Sequence, residues 1–166
     1  MIEIEGNRET ATLAAGCFWG VEFEFAKMDG VLKTKVGYTG GTTSLPGYHD
    51  VCDGDTGHAE AIEIEFDSGV ISFGQIVEEF FNLHDPTTLN RQGPDVGDQY
   101  RSAIFYHSDE QKEIAQGIIA KLTKDGEFDR PIVTQLVPAG PFWDAEEYHQ
   151  QYFAKRGMAS CHIRRK

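Results

Sequence analysis

Apolar and polar positions along this chain fall into short runs of strand or helix period. Thr10 to Ala15 is a compact apolar run ending at Gly16, which predicts a strand. From Phe18 to Met28 the spacing of Val21, Phe25 and Met28 puts apolar side chains on one helical face, and Asp29-Gly30 stops the helix. Val31 to Tyr38 alternates, with Val31, Lys33 and Lys35 against Leu32, Thr34 and Val36, the period of a strand. His58 to Phe66 alternates more sharply. Ser72 with Gln75 forms a capping-box pattern before Phe73, Ile76, Val77, Phe80 and Phe81, a helix start followed by a helical apolar stripe. Arg101 to His107 reads as a short strand. Ser108 with Gln111 repeats the capping pattern before Ile114, Ile118, Ile119 and Leu122, and Asp125-Gly126 ends that helix. Ile132 to Val137 is a further strand, and Asp144 with Glu147 predicts the cap of a last short helix.

The first six elements run strand, helix, strand, strand, helix, strand. That order predicts an α/β (α+β) two-layer sandwich: a mixed sheet with a split βαβ, ferredoxin-like core and helices on one face. The last helix and strand become additions at its edge. No repeat, low-complexity tract or Pro/Ser-rich linker divides the chain, so residues 1–166 are expected to form one domain. Two stretches show no periodicity, Thr39 to Gly57 and Asp85 to Tyr100. Loops of such length in compact domains are often functional.

Composition narrows the function classes. Asp and Glu number 27 against 15 Lys and Arg, a formal charge of −12, which repels phosphate backbones and anionic membranes alike. No apolar run approaches the ~20 residues of a membrane span, and Met1 to Thr10 lacks the apolar core of a signal peptide. The three cysteines, Cys17, Cys52 and Cys161, are too few and scattered for a disulfide scaffold, and with no signal they point to a reducing, cytoplasmic compartment.

Cys17 carries the sharpest chemical signal. It lies in Gly16-Cys17-Phe18-Trp19-Gly20, where the first strand turns into the first helix. A thiol there meets unpaired backbone N–H groups and the positive end of the helix dipole, which favour thiolate. The plainer alternative is a buried cysteine in an aromatic core. Glu60 is the second signal, because a period of two places it on the face of Ile62, Ile64 and Phe66 while Glu63 and Glu65 take the wetter face. Desolvation there would raise its pKa and keep it protonated near neutrality, unless the strand end opens to water. Other constellations are weaker. His49, Asp50, Cys52 and His58 are metal-ligand types without zinc-site spacing, so no metal is expected. Gly40-Gly41 lacks the lysine of a phosphate loop, and Ser102 and Ser108 lack a nucleophile elbow. Glu78-Glu79 reads as a solvated helix edge. Either Cys52 or Cys161 could act as a second thiol; a position near the chain end, among Lys155, Arg156, His162, Arg164 and Arg165, favours Cys161.

Six motifs then occur in order: Gly16-Cys17-Phe18-Trp19-Gly20, Gly37-Tyr38-Thr39-Gly40-Gly41, Gly54-Asp55-Thr56-Gly57-His58-Ala59-Glu60, His84-Asp85-Pro86, Gln99-Tyr100-Arg101-Ser102-Ala103 and His149-Gln150-Gln151-Tyr152. Together they resemble the peptide methionine sulfoxide reductases of the A type. The resemblance implies thiol-dependent reduction of the S epimer of methionine sulfoxide, free or in proteins, through a cysteine sulfenic acid and an intramolecular disulfide recycled by thioredoxin or a similar dithiol. It implies Cys17 as nucleophile, Glu60 as acid, Tyr48 and Tyr100 as holders of the sulfoxide oxygen, and Asp95 as an acidic residue near the site. Phe18 and Trp19 would receive the substrate methyl, and Cys161 would resolve the sulfenic acid from a flexible segment at roughly residues 153–166. No cofactor or metal is implied, and a monomer is expected. The chain departs from the family pattern before Cys161, where Lys155-Arg156-Gly157-Met158-Ala159-Ser160 replaces an Asn-Pro-x-Gly-Tyr-type run, and it lacks a further cysteine-bearing Gly-rich tail.

Overall fold

The computed structural model describes residues 8–16, 18–41, 58–92, 95–146 and 149. The described elements are β1 (Arg8–Ala15), α1 (Phe18–Ala26), β2 (Val31–Thr39), β3 (Ala59–Asp67), α2 (Phe73–Asn82), β4 (Arg91–Gln92), β5 (Asp95–Val96), a one-turn 3-10 helix (Asp98–Tyr100), β6 (Ser102–Tyr106), α3 (Asp109–Lys124), β7 (Gln135–Pro138) and β8 (Phe142–Asp144).

Six strands form one mixed sheet in the order β7-β6-β1-β3-β2-β8, and β4 with β5 makes a separate two-stranded ribbon. The four central strands pair antiparallel throughout. β3 lies between β1 and β2, and β1 lies between β3 and β6, so each βαβ unit is split by a strand of the other. This is the ferredoxin-like core that the element order predicts. α3 then carries the chain to β7, parallel to β6 at one edge. β8 closes the other edge against β2.

One face of the sheet holds the main core. Leu13, Ile62, Ile64, Phe66 and Ile104 meet Phe25 of α1, Ile76 and Phe80 of α2, and Ala115 of α3 in one buried cluster, so all three described helices cover the same face. Small residues dominate the other face near β6, with Ala14, Ala61 and Ala103 packed around Phe105.

Helix α2 starts as predicted. Ser72 Oγ accepts from Gln75 N at 3.0 Å and Gln75 Oε1 accepts from Ser72 N at 2.9 Å. Ser108 caps α3 at 3.2 Å, but the reciprocal half of that box is not made. Buried Gln111 instead takes the N–H of His107 and donates to the Thr10 carbonyl, tying α3 to β1. Two other readings are corrected. Asp144 ends β8, opposite Gly37, and Ala145 and Glu146 after it are not helical, so it does not cap a helix there; Glu147 lies outside the described residues, and a 3-10 turn follows in which His149 N donates to the Glu146 carbonyl at 2.9 Å. Glu79 is buried, so of the pair only Glu78 is a solvated edge.

Gly37 makes the β2–β8 pairing possible. A Cβ there would lie 2.4 Å from the Trp143 carbonyl oxygen and 2.5 Å from the Phe142 ring. Any side chain would push β8 off the sheet.

Candidate active site

The ends of β1 and β2, the starts of β3 and β6 and the N-terminus of α1 gather at one end of the helix-covered face. Gly16 creates this junction. Its φ of 97° lies in the left-handed region, and only two residues, Gly16 and Cys17, separate β1 from α1.

Glu60 stands on that face at the start of β3, and only 1% of it is exposed. Its register partner on β2 is Tyr38, which is fully buried on the same face. Gln99, from the 3-10 turn before β6, donates through Nε2 to Glu60 Oε2 at 3.0 Å. The pattern-based placement of Glu60 on the apolar face is therefore what the strand shows, and the strand end is not open to water.

A second set of contacts builds the neighbouring wall. Half-buried Trp19, in the first turn of α1, donates its indole N–H to His149 Nδ1 at 2.9 Å. An indole nitrogen can only donate, so His149 is the Nε2–H tautomer. The two rings lie 5.5 Å apart. His149 Nε2 is 3.9 Å from Glu146 Oε1, the oxygen that accepts from Tyr38 Oη at 3.0 Å. The segment bearing Glu146 and His149 is held along β2 by Thr39 Oγ1 donating to the Pro141 carbonyl and by Ala145 N donating to the Val36 carbonyl.

The aperiodic stretch from Asp85 is ordered by its own side chains. Gln92 accepts from Asp85 N at 2.7 Å and donates to Asp85 O at 2.8 Å, while Thr87 donates twice to Asp85 Oδ1. Thr87 and the nearby Arg130 and His84 hold the Asp85 carboxyl below its ordinary value, against the opposing pull of partial burial. The β4–β5 ribbon and the 3-10 turn follow, closed by Tyr100 N on the Gly97 carbonyl, and they deliver Gln99 and half-buried Tyr100 to the site end. Ser102 is buried and engaged with His84 Nε2 and Thr134, a structural link between α2, β6 and the approach to β7.

The family model for peptide methionine sulfoxide reductase matches residues 9–166. The chain belongs to the peptide methionine sulfoxide reductase family. It is 60% identical over 153 residues to the peptide methionine sulfoxide reductase MsrA of Acidobacterium capsulatum, covering 92% of this chain and 98% of that one. The MsrA of Methanothermobacter thermautotrophicus is 55% identical, over 95% and 93% of the two chains. Among solved structures, reduced Mxr1 from Saccharomyces cerevisiae matches with a TM-score of 0.89 at 38% identity, covering 97% of this chain and 94% of that one. The same yeast protein in complex with Trx2 matches with a TM-score of 0.66 at 28% identity, covering 97% and 92%. The chain is thus an oxidoreductase of the A-type methionine sulfoxide reductase class.

Of the site residues expected for this reductase, the structure brings Glu60 and the turn carrying Tyr100 together, since that turn packs on β3. Trp19 stands in the first turn of α1 at the same end. Phe18 opens α1 and Asp95 opens β5. Cys17, Tyr48, Cys52, Cys161 and the 153–166 segment lie outside the described residues. Tyr38, Gln99, Glu146 and His149 carry no role in the sequence reading. Tyr38 had a usable signal, an extension of the Thr34–Val36 alternation onto the buried face. Gln99 and His149 lie inside two of the six motifs, where the resemblance gives them no role, and Glu146 shows no local pattern. Among the described residues no helix is long and apolar enough to cross a membrane.

Proposed function

We propose that this reductase acts on the S epimer of methionine sulfoxide, free or in proteins, by a sulfenic acid mechanism, with Cys17 as nucleophile and Glu60 as proton donor. The observation that carries this reading is a carboxyl buried to 99% and bonded to a neutral amide, at the sheet end where α1 begins directly after Cys17. Burial disfavours the charged form of a carboxyl, and a neutral donor does not restore it as a cation would. Glu60 can therefore keep a proton to give.

A sulfoxide oxygen leaves only when protonated. Glu60 donates to it, and the hydroxyls of Tyr48 and Tyr100 stabilise the developing charge. The first-turn N–H groups of α1 favour the Cys17 thiolate. Thiolate, sulfoxide and one proton give methionine and Cys17 sulfenic acid: the substrate sulfur gains two electrons and Cys17 loses them. Phe18 and Trp19 form the cup for the methyl group, and Asp95 lies at the rim. The epimers are told apart because exchanging oxygen for methyl would leave buried donors unpaired.

Cys161 attacks the sulfenic acid, releasing water and forming a Cys17–Cys161 disulfide. A thioredoxin or similar dithiol then reduces it by exchange; the Trx2 complex of the yeast relative supports this partner. The single domain works as a monomer in the cytoplasm, with Cys161 supplied by the 153–166 segment and no metal or organic cofactor taking part.

The test is single turnover with each sulfoxide epimer, followed by mass mapping of the oxidised chain. The S epimer should yield one methionine per chain and a Cys17–Cys161 bond, and Cys17→Ser should yield no methionine above the rate without enzyme. Equal rates on both epimers, activity in Cys17→Ser, or a Cys17–Cys52 bond would each overturn the corresponding assignment.

A further inference from the structure

We propose that Gln99 is a positioning residue for the reductase step, holding the Glu60 carboxyl so that its proton sits on Oε1 and is aimed at the substrate oxygen. The inference rests on the reading of Glu60 as the acid. Gln99 and Glu60 come from segments 39 residues apart, and Gln99 Nε2 donates to Glu60 Oε2 at 3.0 Å with both side chains buried.

An oxygen that accepts an N–H bond acts as the carbonyl oxygen of a protonated carboxyl, so the proton goes to its partner, Oε1. The bond also restricts rotation about the terminal torsion, which is otherwise broad. Chemistry explains why the donor is an amide. Lysine or arginine in this place would favour charge on Glu60 and draw its proton away, whereas a carboxylate has no proton to donate to Oε2. A neutral donor orients the acid without ionising it.

The 3-10 turn is built to hold this amide. Gly97, with φ 141°, precedes the turn, Gly97 N donates to the Asn90 carbonyl at 3.0 Å, and Tyr100 N donates to the Gly97 carbonyl at 3.0 Å. β6 begins two residues after Tyr100, with Ser102 in register with Ala15 of β1. Gln99 is thus fixed at both ends, by the β4–β5 ribbon and by the central sheet.

The titratable groups that the described neighbours bring to this end are Tyr38 of β2, Tyr100 of the turn, and Glu146 and His149 beside β8. Neither tyrosine ordinarily ionises below about pH 10. Glu146 and His149 ordinarily titrate within the working range, so the falling limb of the single-turnover rate with pH is assigned to Glu60 by its loss in Glu60→Gln, and the rising limb to Cys17.

The test is the pH profile of single-turnover methionine formation in Gln99→Met, with Glu60→Gln as control. Gln99→Met keeps the bulk but removes the donor. The donor favours the ionised carboxylate, so its loss should move the falling limb to higher pH. Misplacement of the acid should lower the plateau by about 10-fold with KM little changed. Gln99→Glu should recover towards low pH, where the protonated carboxyl can donate, and fail more steeply as pH rises; this variant decides the matter if Gln99→Met does not fold. If Glu60→Gln keeps the wild-type falling limb, the acid assignment fails rather than this one. If Glu60→Gln removes the limb while Gln99→Met and Gln99→Glu keep the wild-type plateau and limb, Gln99 has no positioning role.

Discussion

Strand β3 joins two ends that are equally dry and differently built. At its far end Ile64 and Phe66 are fully buried against helices α1 to α3, and dispersion and burial alone account for their place. At its near end Glu60 is as deeply buried, but its neighbours are Tyr38 and Gln99 rather than aliphatic groups. A buried polar group is costly unless it is bonded, so every polar side chain at this end needs a partner of its own. Those partners arrive from far along the chain: Gln99 lies 39 residues from Glu60, Glu146 lies 108 from Tyr38, and His149 lies 130 from Trp19. The apolar end stores stability, and the polar end spends structural precision on orienting groups for chemistry.

The largest expected effect falls on the polar end. Glu60→Gln keeps the shape and an oxygen for Gln99, but it removes the acid, and general acid catalysis is typically worth ~10²–10⁴-fold. Single-turnover rates at neutral pH should drop by that order while the thermal midpoint moves little. A near-normal rate would mean that another group delivers the proton. The matching change at the apolar end is Phe66→Ala. Emptying a fully buried aromatic site costs about 3–5 kcal/mol, readable as a fall in the denaturation midpoint. Below its unfolding temperature this variant should keep the reductase rate. Loss of that rate in folded protein would show that the two ends are not separable.

A smaller effect is expected from Ser72→Ala. It removes the N-cap of α2, which is worth ~1 kcal/mol, and chemical denaturation should show that loss with turnover unchanged.

The sequence announces the apolar end and much of the frame. Alternation and helical spacing mark β1, β2, β3, α1, α2 and β6 within two residues, because one-face burial writes a period into the chain. It also places Glu60 on the buried face, since its parity with Ile62 and Ile64 is local. What remains hidden is set by pairing rather than period. β8 is three residues long and becomes a strand only because β2 offers an edge. The β4–β5 ribbon is two residues against two, stabilised by the side chain of Gln92 gripping the backbone of Asp85. Gln99 and His149 stand inside motifs and Glu146 in none, but in all three the contact each makes is invisible until the fold brings its partner to it.

The subtlest expected effect concerns the stretch that links the two ends. The Asp85 carboxyl is held below its ordinary value of 3.8 because the Thr87 bonds, Arg130 and His84 outweigh burial. A carboxyl depressed in the folded state contributes stability that is complete above its unfolded value and is lost as pH falls through the folded value. Thr87→Val removes the hydroxyl donor and should raise the folded value. Its stability deficit should be present at neutral pH and shrink below about pH 3.8. A deficit independent of pH would assign the role of Thr87 to packing alone.

Gly37 finally bears on the order in which the ribosome supplies the parts. Residues 8–138 emerge before β8 and already contain seven of the eight described strands and all three described helices. Trp19 and Tyr38 are among the earlier residues made, yet His149 and Glu146 leave the exit tunnel more than a hundred residues later. At ~5–20 residues per second the nascent chain spends seconds with a sheet but without the wall that Glu146 and His149 complete. The bare backbone at position 37 keeps the berth open for that late strand. The contacts of Trp19 with His149 and of Tyr38 with Glu146 are thereby closed only after the sheet they stand on has been made.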